Sequence, residues 1–137
     1  RPTIFSGTVA DNIRLGSDAA GERGVRDAAV LAGADRFIRA LPAGYETLVG
    51  DGGRALSAGE RRRIALARAF IRDAPFVILD EPTADLDRTS ADVVAEAIER
   101  LRARRTVLLI AHRPELVAHA DRVVELEGGS AVRERAA

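Results

Sequence analysis

Two apolar runs constrain this chain more than any other feature. Phe76–Leu79 and Thr106–Ala111 have strand length and carry no charge. Between them, Arg88–Arg104 repeats its apolar residues at helical spacing, with Val93, Val94, Ala97, Ile98 and Leu101 on one face. Glu96 and Arg100 are spaced to pair on the other face. Strand, helix, strand in that order needs a crossover connection, so the two strands run parallel and the crossover is right-handed. A strand that is apolar throughout, rather than alternating, predicts cover on both faces. The expected fold class is therefore α/β, with a parallel layer in the second half.

The rest of the chain falls around that unit. Arg1–Ser6 reads as a loop. Gly7–Gly16 reads as a short helix, with Thr8 and Asp11 in capping-box spacing and Gly16 as its stop. A polar turn region, 17–24, precedes helical spacing from Val25 to Leu41, broken near Gly33. Residues 41–60 are rich in glycine, show no period and read as a loop. Ser57 opens a helix to about Arg72, with Glu60 completing a second capping box. Pro114–Ala120 predicts a short helix. "RVVELEGGSAVRE" predicts a further strand of the layer, a Gly-Gly turn and a partner strand.

Composition narrows the function classes. Hydrophobic residues at 47% with 31% charged residues describe a globular domain. The formal net charge is zero, so nucleic acid is not an expected partner. The apolar runs fall short of the roughly 20 residues that span a bilayer. Cysteine is absent, so no disulfide contributes, and a reducing compartment is the easier reading. All 21 basic residues are arginine. Without lysine, this sequence contains no phosphate loop of the form G-x-x-x-x-G-K-[ST].

Four groups of residues carry candidate chemistry. Asp80 and Glu81 end the first strand, where ligands gather in open parallel sheets. Asp80 suits a magnesium ion, held directly or through water, and Glu81 can orient or deprotonate a water. The alternative is a strand that merely ends in acids before a Pro-Thr turn. His112 ends the next strand and should lie beside the pair if the strands are neighbours. It can donate to a phosphate, or be a hydrogen-bonded core histidine. His119 reads as structural. Ser57, Ala58, Gly59 and Glu60 place a hydroxyl and free backbone N–H groups at a helix start, which favours an anion. The alternative is a plain capping box. Arg61–Arg63 read as a solvated face, with Ile64, Leu66, Ala67 and Ile71 turned inward.

Taken in order, "LSAGE", "FVILDE", "ADLD" and "AHR" resemble the motifs of the ATP-binding-cassette ATPases: signature, Walker B with catalytic glutamate, D-loop and switch histidine. The resemblance implies a partial P-loop NTPase fold, with a helical subdomain over 1–75 and the C-terminal part of the sheet core over 76–137. It implies ATP and Mg²⁺ as ligands and a head-to-tail pairing with a second cassette subunit, in a homodimer or heterodimer. Ser57, Ala58, Gly59 and Glu60 would face the ATP held by the partner, and Asp87 would meet the partner across the interface. Asp80, Glu81 and His112 would serve the ATP of their own domain. The family's phosphate loop and adenine-stacking aromatic lie upstream, and its glutamine would stand one residue before "RPTIF". The expectation is therefore the C-terminal part of a nucleotide-binding domain, inactive alone.

"RPTIFSGTVADNIRLG" and "LPAGYETLVGDGGRALSAGE" resemble the exporter branch, whose loop at Thr47–Gly53 touches the transmembrane domain. This implies a place on the cytoplasmic face of the cell membrane. "LSAGERRRIALARAFIRDAP", "LLIAHRPEL" and "ADRVVEL" are similar to the thiol-reductant (cysteine or glutathione) exporter subunit of cytochrome bd assembly. The chain departs from the common pattern at Ala58 for glycine, Glu60 for glutamine and Leu48 for an acid. A soluble ATPase of the same superfamily, and a non-hydrolysing module that docks on a complete cassette, remain alternatives.

Overall fold

The computed structural model describes residues 2–112, 114–117 and 120–136. Elements follow in the order β1 (Gly7–Thr8), α1 (Val9–Arg14), α2 (Glu22–Leu31), α3 (Asp35–Arg39), a 3-10 turn (Gly44–Glu46), β2 (Leu48–Val49), α4 (Ala58–Arg72), β3 (Phe76–Asp80), α5 (Arg88–Arg102), β4 (Thr106–Ile110), α6 (Pro114–Val117), β5 (Arg122–Glu127) and β6 (Ser130–Ala136). The chain is α/β as its sequence predicts. Three two-stranded sheets form: β1–β2 antiparallel, β3–β4 parallel and β5–β6 antiparallel.

Helix α4 is the hub. It packs on α1, α2 and α5. Its buried Ile64, Leu66, Ala67 and Phe70 share one core with Val9, Ile13, Val25, Ala29, Val94 and Leu101. Both capping boxes form as their spacing predicts. Thr8 and Asp11 bond reciprocally at the start of α1, and Ser57 and Glu60 do so at the start of α4. Each satisfies backbone N–H groups that a helix start leaves without intrahelical partners.

Several expectations need correction. The helix read from Gly7 begins only at Val9, because Gly7 and Thr8 pair with Val49 and Leu48. The helix does stop at Gly16, just past its Leu15 cap, though the glycine is not in the left-handed region; a Cβ there would meet Arg68 O and Ile71 Cγ2 at 2.4 Å each. Its role is to let the end of α1 lie directly on α4. Helix α2 claims Glu22–Gly24 from the polar turn region. Arg61–Arg63 are half-buried rather than a solvated face, and Arg61 and Arg63 bond to backbone carbonyls. The proposed His119 assignment lies outside the described residues.

The sheet differs from expectation in two ways. β3 and β4 pair in register, Phe76 with Thr106 through Asp80 with Ile110. One face of the pair is packed: Val77, Leu79, Val107 and Leu109 lie on the core. The other face is open, with Phe76, Ile78, Leu108 and Ile110 between 47% and 58% exposed. No described element covers it. β5 does not join this layer; its ladder is with β6, around the positive-φ turn Gly128–Gly129. A cavity of about 460 Å³, lined by Ile98, Arg102, Leu109 and Val123 among others, separates β4 from β5. It touches none of the candidate site residues.

The first residues are held by a buried polar network. Asn12 is 1% exposed. Its side chain accepts from Phe5 N at 2.9 Å and donates to Phe5 O at 2.9 Å and Thr8 O at 3.0 Å. Arg68 on α4 donates to Asn12 Oδ1 at 2.8 Å, Asn12 O at 2.6 Å and Thr3 O at 2.7 Å. Burial pushes the Arg68 guanidinium below its usual value, and these acceptors offset the loss of water. Asn12→Ala leaves Phe5 N–H and one arm of Arg68 without their acceptor. It should lower unfolding free energy by about 2–3 kcal/mol, read as a shift of the denaturant midpoint.

Candidate functional site

Strand β3 delivers its acids to the end of the parallel pair. Glu81 N continues the ladder by donating to Ile110 O at 2.9 Å. The backbone then turns sharply. Glu81 has φ 44 and Asp85 φ 59, both in the left-handed region that side chains other than glycine avoid. Between them Pro82 and Thr83 are buried. Ala84 N donates to Glu81 O at 3.1 Å and Leu86 N to Thr83 O at 3.4 Å. Strained backbone of this kind persists only where its surroundings over-determine it.

β4 delivers His112 to the same place. His112 Nδ1 lies 2.7 Å from Glu81 Oε1. The imidazole is 77% exposed, so it is no core histidine, and the Glu81 side chain is 34% exposed. An ionised Glu81 accepts from Nδ1–H. In a neutral ring that leaves Nε2 as an acceptor. To donate to a phosphate as well, the ring must carry a second proton or turn away from Glu81. Asp80 is exposed at the strand end.

The start of α4 forms a second group. Ser57 N donates to Glu60 Oε2 at 2.7 Å, and Glu60 N donates to Ser57 Oγ at 3.2 Å. The Ser57 hydroxyl proton remains available to another acceptor. Arg54 Nη2 lies 3.9 Å from Glu60 Oε1 and partly offsets its charge. Ala58 is half-buried and Gly59 buried. A Cβ on Gly59 would meet Ser90 Oγ at 2.9 Å and Ser90 Cβ at 3.0 Å. Glycine here is demanded by a neighbouring helix rather than by backbone conformation.

Asp87 lies beside the second group. It caps α5 by accepting from Ser90 N at 2.9 Å and Ser90 Oγ at 2.8 Å. The hydrogen bond from Ser90 N is the main reason its carboxyl lies below the usual carboxylate value. The structure thus brings Glu81 to His112, and Gly59 to Asp87 through Ser90. Sequence reasoning missed Ser90, although Asp87 itself is a residue type preferred at helix N-caps. It also missed Arg54 and Arg62, for which the local pattern gives no signal. Among the described residues no three His, Asp or Glu side chains converge on a point suited to a metal ion.

A Cβ at position 59 should force α4 and α5 apart. Gly59→Ala should cost about 1–3 kcal/mol, as other overpacked contacts do. On a Ser90→Gly background the same substitution should cost much less, since the clash is with that side chain. Denaturant midpoints of the two single variants and the double variant check this. An equal cost of Gly59→Ala with and without the Ser90 side chain would remove the contact as the cause.

Comparison with known proteins follows the same arrangement. A family model described as "ABC transporter" matches residues 3–84. The chain is 47% identical over 133 residues to an ATP-dependent lipid A-core flippase of Syntrophus aciditrophicus, covering 97% of this chain and 22% of that protein. It is 46% identical over 131 residues to the heterocyst differentiation ATP-binding protein HepA of Nostoc sp., covering 96% of this chain and 22% of that protein. A solved bacterial Atm1-family ABC exporter with ATP bound superposes with a TM-score of 0.88 at 33% identity, over 98% of this chain and 24% of that chain. The chain therefore spans about a fifth of the length of these curated relatives.

Proposed function

The chain belongs to the ABC transporter family, and on that premise we propose that it is the part of an exporter's nucleotide-binding domain that handles hydrolysis and the partner's nucleotide. The α/β fold is a partial ABC ATPase fold, and its relatives include exporters. The division at residue 75 into helical subdomain and sheet core belongs to the same proposal. The observation that carries the reading is the Glu81–His112 contact at the ends of two neighbouring parallel strands.

Each side chain then has a task. Glu81 orients and deprotonates the water that attacks the terminal phosphate of ATP. His112 holds Glu81 in place and, once turned or doubly protonated, donates to the phosphate. Ser57, Ala58 and Gly59 offer a hydroxyl and backbone N–H groups at the positive end of α4 to the ATP of a second subunit, arranged head-to-tail. Asp87 faces that subunit while fixing the start of α5. A magnesium ion needs only one or two carboxylates besides phosphate and water, so the exposed Asp80 fits it without a wider acidic cage. When bound, it neutralises phosphate charge. The residues that grip the triphosphate lie outside this sequence, which has no lysine for a phosphate loop.

Export across the cytoplasmic membrane, with the domain on its cytoplasmic face against a transmembrane domain, is the whole-protein reading. The exporter relatives support it over a soluble ATPase or a docking module. No described helix is long and apolar enough to cross a membrane. Export of cysteine or glutathione is the finer proposal. It rests on the sequence resemblance alone, since the relatives above carry other names.

Two variants of the full-length protein test this reading. Glu81→Gln should abolish ATP turnover while ATP binding persists; continued turnover would remove the role given to Glu81. The 137-residue chain alone should hydrolyse no ATP. Glu60→Gln keeps an oxygen that can accept from Ser57 N and removes only the charge. It should raise turnover, and an unchanged or lower rate would show that the charge does not hinder the triphosphate.

A further inference from the structure

Ser90, in the first turn of α5, spends both of its donors on one side chain. Its N–H donates to Asp87 Oδ1 at 2.9 Å, and its hydroxyl donates to Asp87 Oδ2 at 2.8 Å. The two bonds secure different things. The backbone bond is the helix cap, and it does not depend on the serine side chain. The hydroxyl bond is not needed for the cap. It keeps the carboxylate from turning about its last torsion, which is otherwise soft. Asp87 is thereby gripped on both oxygens while it stays exposed, and Ser90 itself is half-buried.

The same side chain bears on α4. A Cβ on Gly59 would lie 2.9 Å from Ser90 Oγ and 3.0 Å from Ser90 Cβ, so the absent methyl is what lets the two helices touch here. The first turn of α4 is braced against this contact. Arg63 donates to Gly59 O and to Gly33 O, at 3.2 Å each. Gly33 in turn lies so close to α5 that a Cβ on it would stand 2.6 Å from Val93 Cγ1. Gly59 is therefore held by Arg63 of its own helix on one side and by Ser90 of the next helix on the other. One oxygen, Ser90 Oγ, stands both against the start of α4 and against the acid that caps α5.

We infer that Ser90 is a positioning residue that fixes the direction of the Asp87 carboxylate relative to the start of α4. The inference rests on the head-to-tail reading above, in which the second subunit meets Asp87 and its ATP meets Ser57, Ala58 and Gly59. Those two groups then have to engage one rigid target at the same time. A carboxylate free to turn, or a helix start free to slide past it, would meet that target in many arrangements, few of them productive. Ser90 touches neither the nucleotide nor the second subunit. It acts through Asp87 by a hydrogen bond and through Gly59 by contact.

Steady-state ATP turnover by the full-length transporter in lipid nanodiscs tests this. Ser90→Ala keeps the capping N–H and the Cβ, so the domain should stay folded, and MgATP binding of wild-type affinity would show it. The variant should lower kcat about tenfold with KM for MgATP changed less than about twofold. Asp87→Asn keeps an oxygen for the cap and removes the charge, and it should lower kcat as well. The double variant should be little slower than the slower single one, since both act through one side chain. The inference is overturned by a Ser90→Ala kcat within about threefold of wild type, by a KM that rises as far as kcat falls, or by losses that multiply in the double variant. Asp87→Asn separates the two ideas. If it slows turnover and Ser90→Ala does not, the reading of Asp87 stands and this inference falls. If only Ser90→Ala slows turnover, the hydroxyl acts by another route and the inference falls too. If neither variant does, both fall.

Discussion

A half-buried guanidinium organises the first half of this chain. Arg68 sits on α4 and donates to oxygens of Thr3 and Asn12. Taking a guanidinium from water is costly unless its donors are satisfied, so those acceptors have to stay where they are. Asn12 in turn fixes Phe5 through both its backbone N–H and its carbonyl. The residues before α1 have no ladder of their own, apart from the short pairing of β1 with β2. They are held because a long helix reaches across to them. The Phe5 ring, 5.7 Å from the Arg68 guanidinium, closes the same junction.

α4 plays the same part in the other direction. Gly59 lets its first turn approach Ser90, and Ser90 is bonded to the capping Asp87. The Ser57-capped start of one helix and the Asp87-capped start of the next therefore form one packed unit. Gly33, at φ 66, is a second such approach; a Cβ there would lie 2.6 Å from Val93 Cγ1. Two glycines at close crossings, rather than large apolar side chains, set how α5 lies on the helices before it.

What the sequence disclosed and what it hid follow from distance along the chain. Thr8 with Asp11, Ser57 with Glu60 and Glu96 with Arg100 are three or four residues apart, and each pair forms as its spacing predicts. The parallel pairing of β3 and β4 was legible because a helix between two apolar runs leaves little choice. Asn12 and Arg68, 56 residues apart, gave no periodic signal. Nor did Arg62, which a run of like charges disguises as surface. The left-handed backbone of Glu81 and Asp85 was hidden because neither residue is glycine. β5 stayed out of the layer although its residues read as a strand, because a strand pattern does not specify its neighbour.

The exposed side of β3 has a consequence for the chain before it meets any partner. Phe76–Leu79 is a short, uncharged, β-prone stretch, the kind that adheres edge-to-edge to copies of itself. It is flanked by Arg72 and Asp73 on one side and by Asp80 and Glu81 on the other. Charges placed so act as gatekeepers against aggregation. Asp80 and Glu81, whatever else they do, thus supply repulsion at the end of a sticky strand.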